Sequence, residues 1–394
     1  MFNSKYKEKD MSKKLFSILT VMLIMAFSLS ACATTTPTVA PVVVSTEAPV
    51  VAATTAPTKA APCLIIGATY GGPINDAGYN QAFHESVMTI KKKIDCVQIV
   101  EVENVYDEAG ATSTIEQMIK QGAKMIIATA FSHQNPAFEL AKKYPDVIFE
   151  HAGGWMMGAN FANFYAKPPD VWFAQGVVAG LMTKTNRLGF VAAFPLGWTL
   201  TFANAFNLGA KSVNPKVVTE VKFTYAWGDS TKEAEATNAL INGGADVITM
   251  HVDSPATVIS TAETRGVYSI GFQNVAAKQF APKFWIIGSG FTLGDKLTWL
   301  TSTVLDKTWK PIFLRCSLKE GCMNLSDWGP SVPQEVKDKF NKAVNDLDAG
   351  TIVTFKGPIL DQNGETVVKA GEVLTDDAMG NVNWFVKGMI GSPK

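Results

Sequence analysis

The sequence predicts an α/β protein made of two doubly wound lobes, joined by a hinge and separated by a cleft. Short aliphatic or β-branched runs alternate with helix-period segments, and this alternation begins a second time near residue 188. Strands that alternate with helices imply right-handed crossovers and parallel sheets buried on both faces. About 330 residues follow residue 62, which is long for one core and suits two lobes of roughly 150 residues each.

The N-terminal residues have the pattern of a lipoprotein export signal. Lys13 and Lys14 precede an apolar run over residues 15–27, and Leu29-Ser30-Ala31 leads directly into Cys32. A short apolar run between a basic start and small residues is typical of a cleaved signal rather than a membrane span. We therefore expect residues 1–32 to be a lipoprotein signal and Cys32 to carry lipid. The acylated protein would be anchored to the bilayer at the outer face of the cytoplasmic membrane, or in the periplasm.

Residues 33–62 predict a tether. They consist mainly of Thr, Ala, Pro and Val, with almost no charge or large side chain. Such a segment cannot bury enough area to offset the entropy of ordering. Where it is polyproline-like it extends by roughly 3 Å per residue, so the folded part should begin near Cys63.

The first lobe is predicted at residues 63–187 plus about 285–310. Its strands are expected at residues 64–69, 97–102, 124–129 and 147–151. The helices between them are expected at residues 81–93, 111–121 and 136–143, followed by a longer one at 169–183. That last helix opens with Pro-Asp and carries Val171, Ala174, Val178 and Leu181 on one face.

The second lobe is predicted at residues 188–284 plus about 311–394. Its strands are expected at residues 188–194, 217–223, 247–251 and 268–272, and its helices at 199–211, 231–242 and 256–264. After a strand at 284–288, a helix at 293–306 should return to the first lobe. A helix at 332–347 and a hairpin around 361–364 complete the second lobe. Several chain crossings of this kind make a hinge.

Four cysteines remain after Cys32, in an exported and disulfide-permissive setting. Cys63 and Cys96 each precede a predicted strand, and neighbouring parallel strands bring their starts together. Cys316 and Cys322 flank a short loop that a disulfide could close. Three connectivities can be drawn for four cysteines, and free buried thiols are a further alternative, because sequence does not fix pairing.

Charge and motifs argue against several function classes. The chain has 35 Lys and Arg against 35 Asp and Glu, with no basic stripe, which argues against nucleic-acid binding. Gly288, Gly290 and Gly294 are one residue too widely spaced for a dinucleotide-binding loop, and no G-x-S-x-G motif is present. The histidines lack zinc-ligand spacing. We expect a monomer without enzyme activity, cofactor or metal, and an exported α/β enzyme is the distant alternative.

Residues after the predicted strands are the candidates for ligand binding, because open α/β sheets bind ligands beyond the carboxyl ends of their strands. Nearly every such segment has an aromatic residue beside an amide or a carboxylate, as in Trp227-Gly228-Asp229. Aromatic faces stack on flat heterocycles, while amides and carboxylates can bind the edge of such a ring. The alternative for each aromatic residue is that it merely covers the end of a sheet.

Several segments together carry a family resemblance. They are Pro73-Ile74-Asn75-Asp76-Ala77-Gly78-Tyr79, Val102-Glu103-Asn104-Val105, Gln121-Gly122-Ala123, Lys143-Tyr144-Pro145-Asp146, Gln175-Gly176-Val177-Val178-Ala179-Gly180 and Gly243-Gly244-Ala245-Asp246-Val247-Ile248. In this order and spacing, over residues 64–272, they resemble the basic membrane protein family. The resemblance implies a type I periplasmic-binding-protein fold and a lipoprotein receptor that delivers a purine to the permease of an ABC importer.

One departure from the family affects the expected ligand. Nucleoside-binding members have an Asp-rich segment where this chain has Gly271-Phe272-Gln273-Asn274-Val275, whereas its segments around Trp227 and Asp253 are similar to the adenine-binding branch. The resemblance therefore implies a purine base rather than a nucleoside, with a sugar or another small polar ligand as the alternative. By position it implies these contacts: Asp76, Tyr79, Phe131, Ser132, Trp198, Trp227, Asp253 and Gln273.

Overall fold

The computed structural model of the protein describes residues 61–394. The predicted lipoprotein signal with Cys32, and nearly all of the predicted tether, lie outside the described residues. Within the described part of the chain, no helix is both long enough and apolar enough to cross a membrane.

The strands form two main sheets and one hairpin. In chain order they are β1 (Leu64–Thr69), β2 (Val97–Val102), β3 (Met125–Ala128), β4 (Ile148–Ala152), β5 (Phe161–Ala166), β6 (Arg187–Ala192), β7 (Val218–Phe223), β8 (Val247–His251), β9 (Tyr268–Gly271), β10 (Trp285–Phe291), β11 (Phe313–Cys316), β12 (Met323–Leu325), β13 (Ile359–Leu360), β14 (Thr366–Val368) and β15 (Met389–Ile390). The first sheet has the order β11-β5-β4-β3-β1-β2, and the second has the order β12-β10-β9-β8-β6-β7-β15.

Helices connect most of the strands. They are α1 (Tyr79–Lys93), α2 (Glu108–Lys120), α3 (Gln134–Lys143), α4 (Pro168–Met182), α5 (Gly197–Val213), α6 (Ser230–Asn242), α7 (Ala256–Thr264), α8 (Gly294–Leu305), α9 (Gln334–Asp348) and α10 (Asp376–Gly380). Every neighbouring pair in the two main sheets is parallel except β10 with β12. The predicted α/β class with two doubly wound sheets is confirmed.

The chain crosses between the sheets at points that differ from the predicted lobe boundaries. β10 pairs with β9 in the second sheet, although residues 285–291 were assigned to the first lobe. β11 pairs with β5 in the first sheet, although it falls within the segment assigned to the second lobe. The position of β11 could not be predicted from local periodicity, because its partner β5 lies far earlier in the chain, whereas β10 simply continues the second sheet beside the preceding strand β9.

The two disulfides among the described residues join the two pairs that the sequence suggested, Cys63 with Cys96 and Cys316 with Cys322. Cys63 and Cys96 precede the neighbouring strands β1 and β2, and their Cα atoms are 5.3 Å apart. Cys316 ends β11 in the first sheet and Cys322 precedes β12 in the second, with Cα atoms 5.7 Å apart. The second disulfide therefore closes the short segment in which the chain crosses from one sheet to the other.

Helices α4 and α5 pack against each other at very close range. A Cβ atom on Gly176 would lie 2.0 Å from the carbonyl oxygen of Phe206, and one on Gly209 would lie 1.9 Å from that of Phe173. Only glycine permits backbones to approach this closely. α4 follows β5, after which the chain crosses to the second sheet, and α5 follows β6, the first strand of that sheet. The contact between these two helices therefore joins the two sheets.

Candidate functional site

A cavity of ≈ 490 Å³ lies between the loops that follow the strands of the two sheets. Aromatic side chains line it from both sides: Tyr79, Phe131, Trp155, Tyr165 and Phe313 from the first sheet's side, and Trp198, Phe202 and Trp227 from the second's. Its volume lies within the range of small-molecule sites, about 300–1,000 Å³. The cavity is large enough for a small heterocycle held between ring faces.

Most of the residues expected to contact a ligand are brought together here. Those that line the cavity are Tyr79, Phe131, Trp198, Trp227, Asp253 and Gln273. Asp76 and Ser132 are not among its lining residues. The half-buried Ser132 donates a hydrogen bond from its hydroxyl to the Tyr106 carbonyl oxygen at 3.1 Å.

The Asp76 carboxylate is used within its own segment. It accepts hydrogen bonds from the backbone N–H groups of Gly78 at 2.8 Å, Asn80 at 3.1 Å and Gln81 at 3.0 Å. It also accepts one from the Asn80 side chain at 2.8 Å. These bonds satisfy the free N–H groups at the start of α1, so Asp76 holds the helix end that carries Tyr79 to the cavity.

The same segment touches the second sheet's loop directly, at a contact that we call the lobe junction (residues 76–79 with 253–254). The Tyr79 N–H donates to the Asp253 carbonyl oxygen at 2.9 Å, and the Ser254 hydroxyl donates to the Asp76 carbonyl oxygen at 3.3 Å. A Cβ atom on Gly78 would lie 1.9 Å from the Asp253 carbonyl oxygen. The lobe junction is therefore a backbone-to-backbone contact that requires glycine.

Carboxyl groups near the lobe junction hold protons more tightly than usual. Burial raises the pKa of Asp253 well above its ordinary value, and the charges of Asp76 and Glu233 raise it further. Burial also raises the pKa of Glu233, to about 7. Because deprotonation is disfavoured, this end of the cavity carries less negative charge than its carboxyl groups suggest.

On the second sheet's side, uncharged ring side chains line the cavity. Burial lowers the pKa of His251 to about 3, and its Nδ1 is 3.1 Å from the Thr199 hydroxyl. The His251 ring centroid is 5.6 Å from that of Trp227 and 5.0 Å from that of Phe202. His251 is therefore neutral at physiological pH and supports the Trp227 ring by packing.

The other histidines near the strand ends are structural. Burial lowers the pKa of His133 and of His151 to about 4. Their Nε2 atoms lie 2.7 Å from the Val105 carbonyl oxygen and 3.0 Å from the Ala130 carbonyl oxygen. Across residues 61–394, no group of three or more His, Cys, Asp or Glu side chains is arranged to hold a metal ion.

Gln273 combines an unusual backbone with an unused acceptor. Its φ of 83° is in the left-handed region, which is uncommon for a residue other than glycine. Its Nε2 donates to the Val252 carbonyl oxygen at 2.6 Å, while its buried Oε1 has no partner among the described residues. Strained backbone and unpaired polar atoms tend to occur at functional sites.

Several residues that line the cavity are not among the contacts expected from the sequence. They are Trp155, Tyr165, Phe313, Arg315, Asp376 and Asp377. The guanidinium carbon of Arg315 is 4.1 Å from the Phe313 ring centroid, 5.2 Å from that of Trp198 and 5.6 Å from that of Tyr165. The sequence did hold a signal for Phe313 and Arg315, which are two residues apart in an apolar run. In a strand, side chains two residues apart lie on one face.

The mouth of the cavity is aromatic and open to solvent. Phe131 is 47% exposed and Trp155 is 61% exposed, and their ring centroids are 6.0 Å apart. Exposed aromatic pairs at the edge of a cavity can cover a ligand when the cavity closes.

Comparison with known proteins identifies the family. Residues 64–354 match the model of the Bmp family, described as ABC transporter substrate-binding protein PnrA-like. The chain belongs to this family. It is 33% identical over 330 residues to a purine-binding protein of Brucella abortus, covering 83% of this chain and 93% of that protein. It is 32% identical over 297 residues to a putative ABC transporter glucose-binding protein of Haloferax volcanii, covering 73% and 74%.

Solved structures show the same fold at low sequence identity. An ABC transporter solute-binding protein from Conexibacter woesei has a TM-score of 0.61 at 20% identity, covering 73% of this chain and 97% of its own. One from Aeropyrum pernix has a TM-score of 0.64 at 16% identity, covering 73% and 92%. The periplasmic-binding-protein fold implied by the resemblance is confirmed.

Membership of the Bmp family defines the protein's general role. It is a solute-binding component of an ABC transporter rather than an enzyme, and its partner is the transporter's permease. Substrate-binding proteins of ABC importers work outside the cytoplasm.

Proposed function

We propose that this protein captures a free purine base in the cavity between its two sheets and presents it to the permease of an ABC importer. The observation that carries the proposal is the set of aromatic side chains from both sheets around one cavity, with polar groups such as Asp253 and Gln273 among them. A purine needs ring faces on both sides and hydrogen-bonding groups at its edge. The purine-binding relative from Brucella abortus supports this ligand class.

A base rather than a nucleoside is supported by the segment after β9. That segment, Gly271-Phe272-Gln273-Asn274-Val275, has no carboxylate to bind ribose hydroxyl groups, and its Asn274 side-chain oxygen already accepts the Ala276 N–H at 2.9 Å. The carboxylates that could bind a ribose are instead Asp376 and Asp377 of α10, both exposed on the cavity. Substituting Asp377 with Asn should leave binding of a base unchanged and would weaken binding of a nucleoside.

The first test is to identify the molecule that the protein already carries. Full-length protein, purified in detergent, would be denatured and its small-molecule fraction analysed by mass spectrometry. We expect a purine base in near-stoichiometric amount. Calorimetry with adenine, hypoxanthine, guanine and their nucleosides then measures each affinity. A nucleoside in the fraction, with no heat from free bases, would overturn the choice of base while keeping the purine class.

A sugar is the second candidate ligand. The relative from Haloferax volcanii is named as a putative glucose-binding protein, and aromatic faces beside carboxylates and amides also suit pyranose rings. Glucose and other hexoses therefore belong in the same calorimetric panel. Heat from a hexose, with none from any purine, would replace the purine proposal.

We also propose that acylated Cys32 anchors the protein to the bilayer, so that ligand is delivered beside the permease. The basis is the sequence of residues 11–32, with its basic start, apolar run and Leu-Ser-Ala-Cys ending. Labelling of cells with an alkynyl fatty acid should tag the wild-type protein and leave a Cys32→Ser variant untagged. Equal labelling of the two proteins would contradict the anchor.

A further inference from the structure

One arginine that lines the cavity has a buried nitrogen without an acceptor among the described residues. The arginines of the chain are Arg187, Arg265 and Arg315. Arg187 bonds the Glu220 carboxylate at 3.4 Å, and Arg265 bonds the side-chain oxygens of Asn238 at 2.5 Å and Asn242 at 2.9 Å. The buried Nε of Arg315 has no hydrogen-bond partner in residues 61–394. A buried donor left without an acceptor is costly, so a cavity-lining arginine in this state needs an explanation.

Arg315 is held in place by rings rather than by an ion pair. It is a cross-strand neighbour of Tyr165 in the pairing of β11 with β5, and it lies near the rings of Trp198 and Phe313. Burial lowers its pKa to about 10, so it stays protonated at neutral pH, and Asp376 is the carboxylate whose charge acts on it. Because Tyr165 and Phe313 come from the first sheet and Trp198 from the second, the guanidinium lies where both sides of the cavity meet.

The chemistry of the guanidinium restricts what can bind beside it. Arginine is a rigid fork of N–H donors with no acceptor. Guanine presents two adjacent acceptors, O6 and N7, and bidentate binding of this pair by arginine is the commonest base-specific contact in nucleic-acid complexes. Adenine keeps N7 but replaces O6 with an amino group, which is a donor and cannot pair with another donor.

The loops of the second sheet supply hydrogen-bond acceptors, in contrast to the donors of Arg315. The Gln273 Oε1 is an acceptor without a donor among the described residues, and the Asp253 carboxyl group, for which burial disfavours deprotonation, keeps a carbonyl oxygen that can accept. A 6-oxopurine carries an N1–H donor next to O6, whereas adenine has an acceptor at N1. The cavity thus offers donors from β11 for O6 and N7 of a 6-oxopurine. It offers acceptors from the loops after β8 and β9 for the N1–H group.

We propose that Arg315 is a specificity-determining residue, and that it selects purines with a 6-oxo group, such as hypoxanthine and guanine, over adenine. This inference rests on the proposed purine-binding function and differs from the adenine ligand that the sequence resemblance implies. Hypoxanthine and adenine form a matched pair of ligands, since they differ in the substituent at C6 and in the proton at N1.

Titration calorimetry of the full-length protein with hypoxanthine and adenine tests the proposal without any substitution. We expect hypoxanthine to bind at least tenfold more tightly than adenine, which is about 1.4 kcal/mol. In Arg315→Met, hypoxanthine affinity should fall at least tenfold while adenine affinity changes less than about threefold. Arg315→Lys keeps the charge but not the fork, and it should lose most of the preference.

Arg265→Lys is the matched control, because this exposed arginine is bonded to amides on the surface, and it should keep the wild-type preference. Equal affinities, tighter adenine binding by the wild type, or an unchanged preference in folded Arg315→Met would each overturn the assignment of Arg315 while leaving a purine-binding function intact. Binding of neither purine, together with binding of a hexose, would overturn both proposals. Circular dichroism of each variant establishes that it is folded.

Discussion

The two ends of the cavity differ in whether their polar groups already have partners. At the lobe junction, the Asp76 carboxylate accepts several hydrogen bonds and the Tyr79 hydroxyl donates to the Thr129 carbonyl oxygen at 2.7 Å. At the β11 end, Arg315 lies among aromatic rings with its Nε unpaired. The segment that carries the family resemblance most visibly thus builds the contact between lobes. The segment without a motif places an unpaired guanidinium nitrogen beside the cavity.

The largest effect should follow from blocking the lobe junction. In Gly78→Ala, the new Cβ would lie 1.9 Å from the Asp253 carbonyl oxygen and 2.4 Å from Pro255 Cδ. Because a backbone atom cannot move aside cheaply, the two loops must separate and the cavity must open. We expect at least a hundredfold loss of purine affinity by calorimetry, about 2.7 kcal/mol.

The fold itself should survive this substitution, since the apolar cores under both sheets do not depend on the junction. Gly228→Ala is the matched control: it removes a glycine beside the cavity-lining Trp227, but its Cβ would meet nothing within 4 Å. It should bind like the wild type. A Gly78→Ala protein with wild-type affinity would show that the lobe junction does not govern binding.

Removing an aromatic side chain from the second sheet's side should have the next largest effect. Trp227 is half-buried and packs against His251 and Phe194, with ring centroids 5.6 Å and 5.5 Å away. Trp227→Ala should weaken purine binding by about tenfold or more, about 1.4 kcal/mol, with little change in thermal stability of the ligand-free protein. Equal affinity would remove Trp227 from the site. Phe131→Ala, at the exposed mouth, should cost less.

Local periodicity predicted the fold well because most strands and helices carry their own pattern. The bounds of β1 and β2 agree with the expected residues 64–69 and 97–102. β5 was missed, since Phe161–Ala166 follows a glycine-rich loop and contains the buried Asn163, whose amide bonds the Met156 carbonyl oxygen. Short edge strands such as β11 and β15 were missed because their partners lie far away in the chain.

The site was predicted only where it follows a strand end of the regular α/β alternation. Trp227, Asp253 and Gln273 lie on such loops and Trp198 lies in the first turn of the helix after one, and the structure brings all four to one cavity. Arg315 reaches it only because β11 adds to the edge of β5. The use of the Asp76 carboxylate on backbone N–H groups could not be read from the sequence either, because a carboxylate before a helix serves equally as a cap or as a ligand contact.

Asp76→Ala should have a smaller effect. It distinguishes a role of Asp76 in the lobe junction from simple capping of a helix. Loss of a capping carboxylate costs about 1 kcal/mol of stability, and the Asp107 side chain caps α2 by accepting the Gly110 N–H at 2.7 Å. We expect Asp76→Ala and Asp107→Ala to lower the free energy of unfolding by similar amounts in urea titrations. Only Asp76→Ala should also weaken purine binding, by a few-fold, because it loosens the helix end that contacts Asp253. Equal binding by the two variants would reduce Asp76 to a plain cap.

The smallest expected effect is a pH dependence of stability that arises from Glu233, near the lobe junction. Burial raises the pKa of Glu233 from 4.5 to about 7, so the folded state holds a proton that the unfolded state has released between these pH values. The contribution of Glu233 to stability is therefore full below about pH 4.5 and is lost as pH rises through about 7. The free energy of unfolding, measured in urea between pH 5 and 8, should fall more steeply for the wild type than for Glu233→Gln, by on the order of 1 kcal/mol.

Glu235→Gln, on the exposed face of the same helix, should keep the wild-type slope. A Glu233→Gln slope equal to that of the wild type would show that Glu233 ionises as freely in the folded protein as in the unfolded chain. The contrast between the two ends of the cavity would then rest on the hydrogen bonds of Asp76 alone.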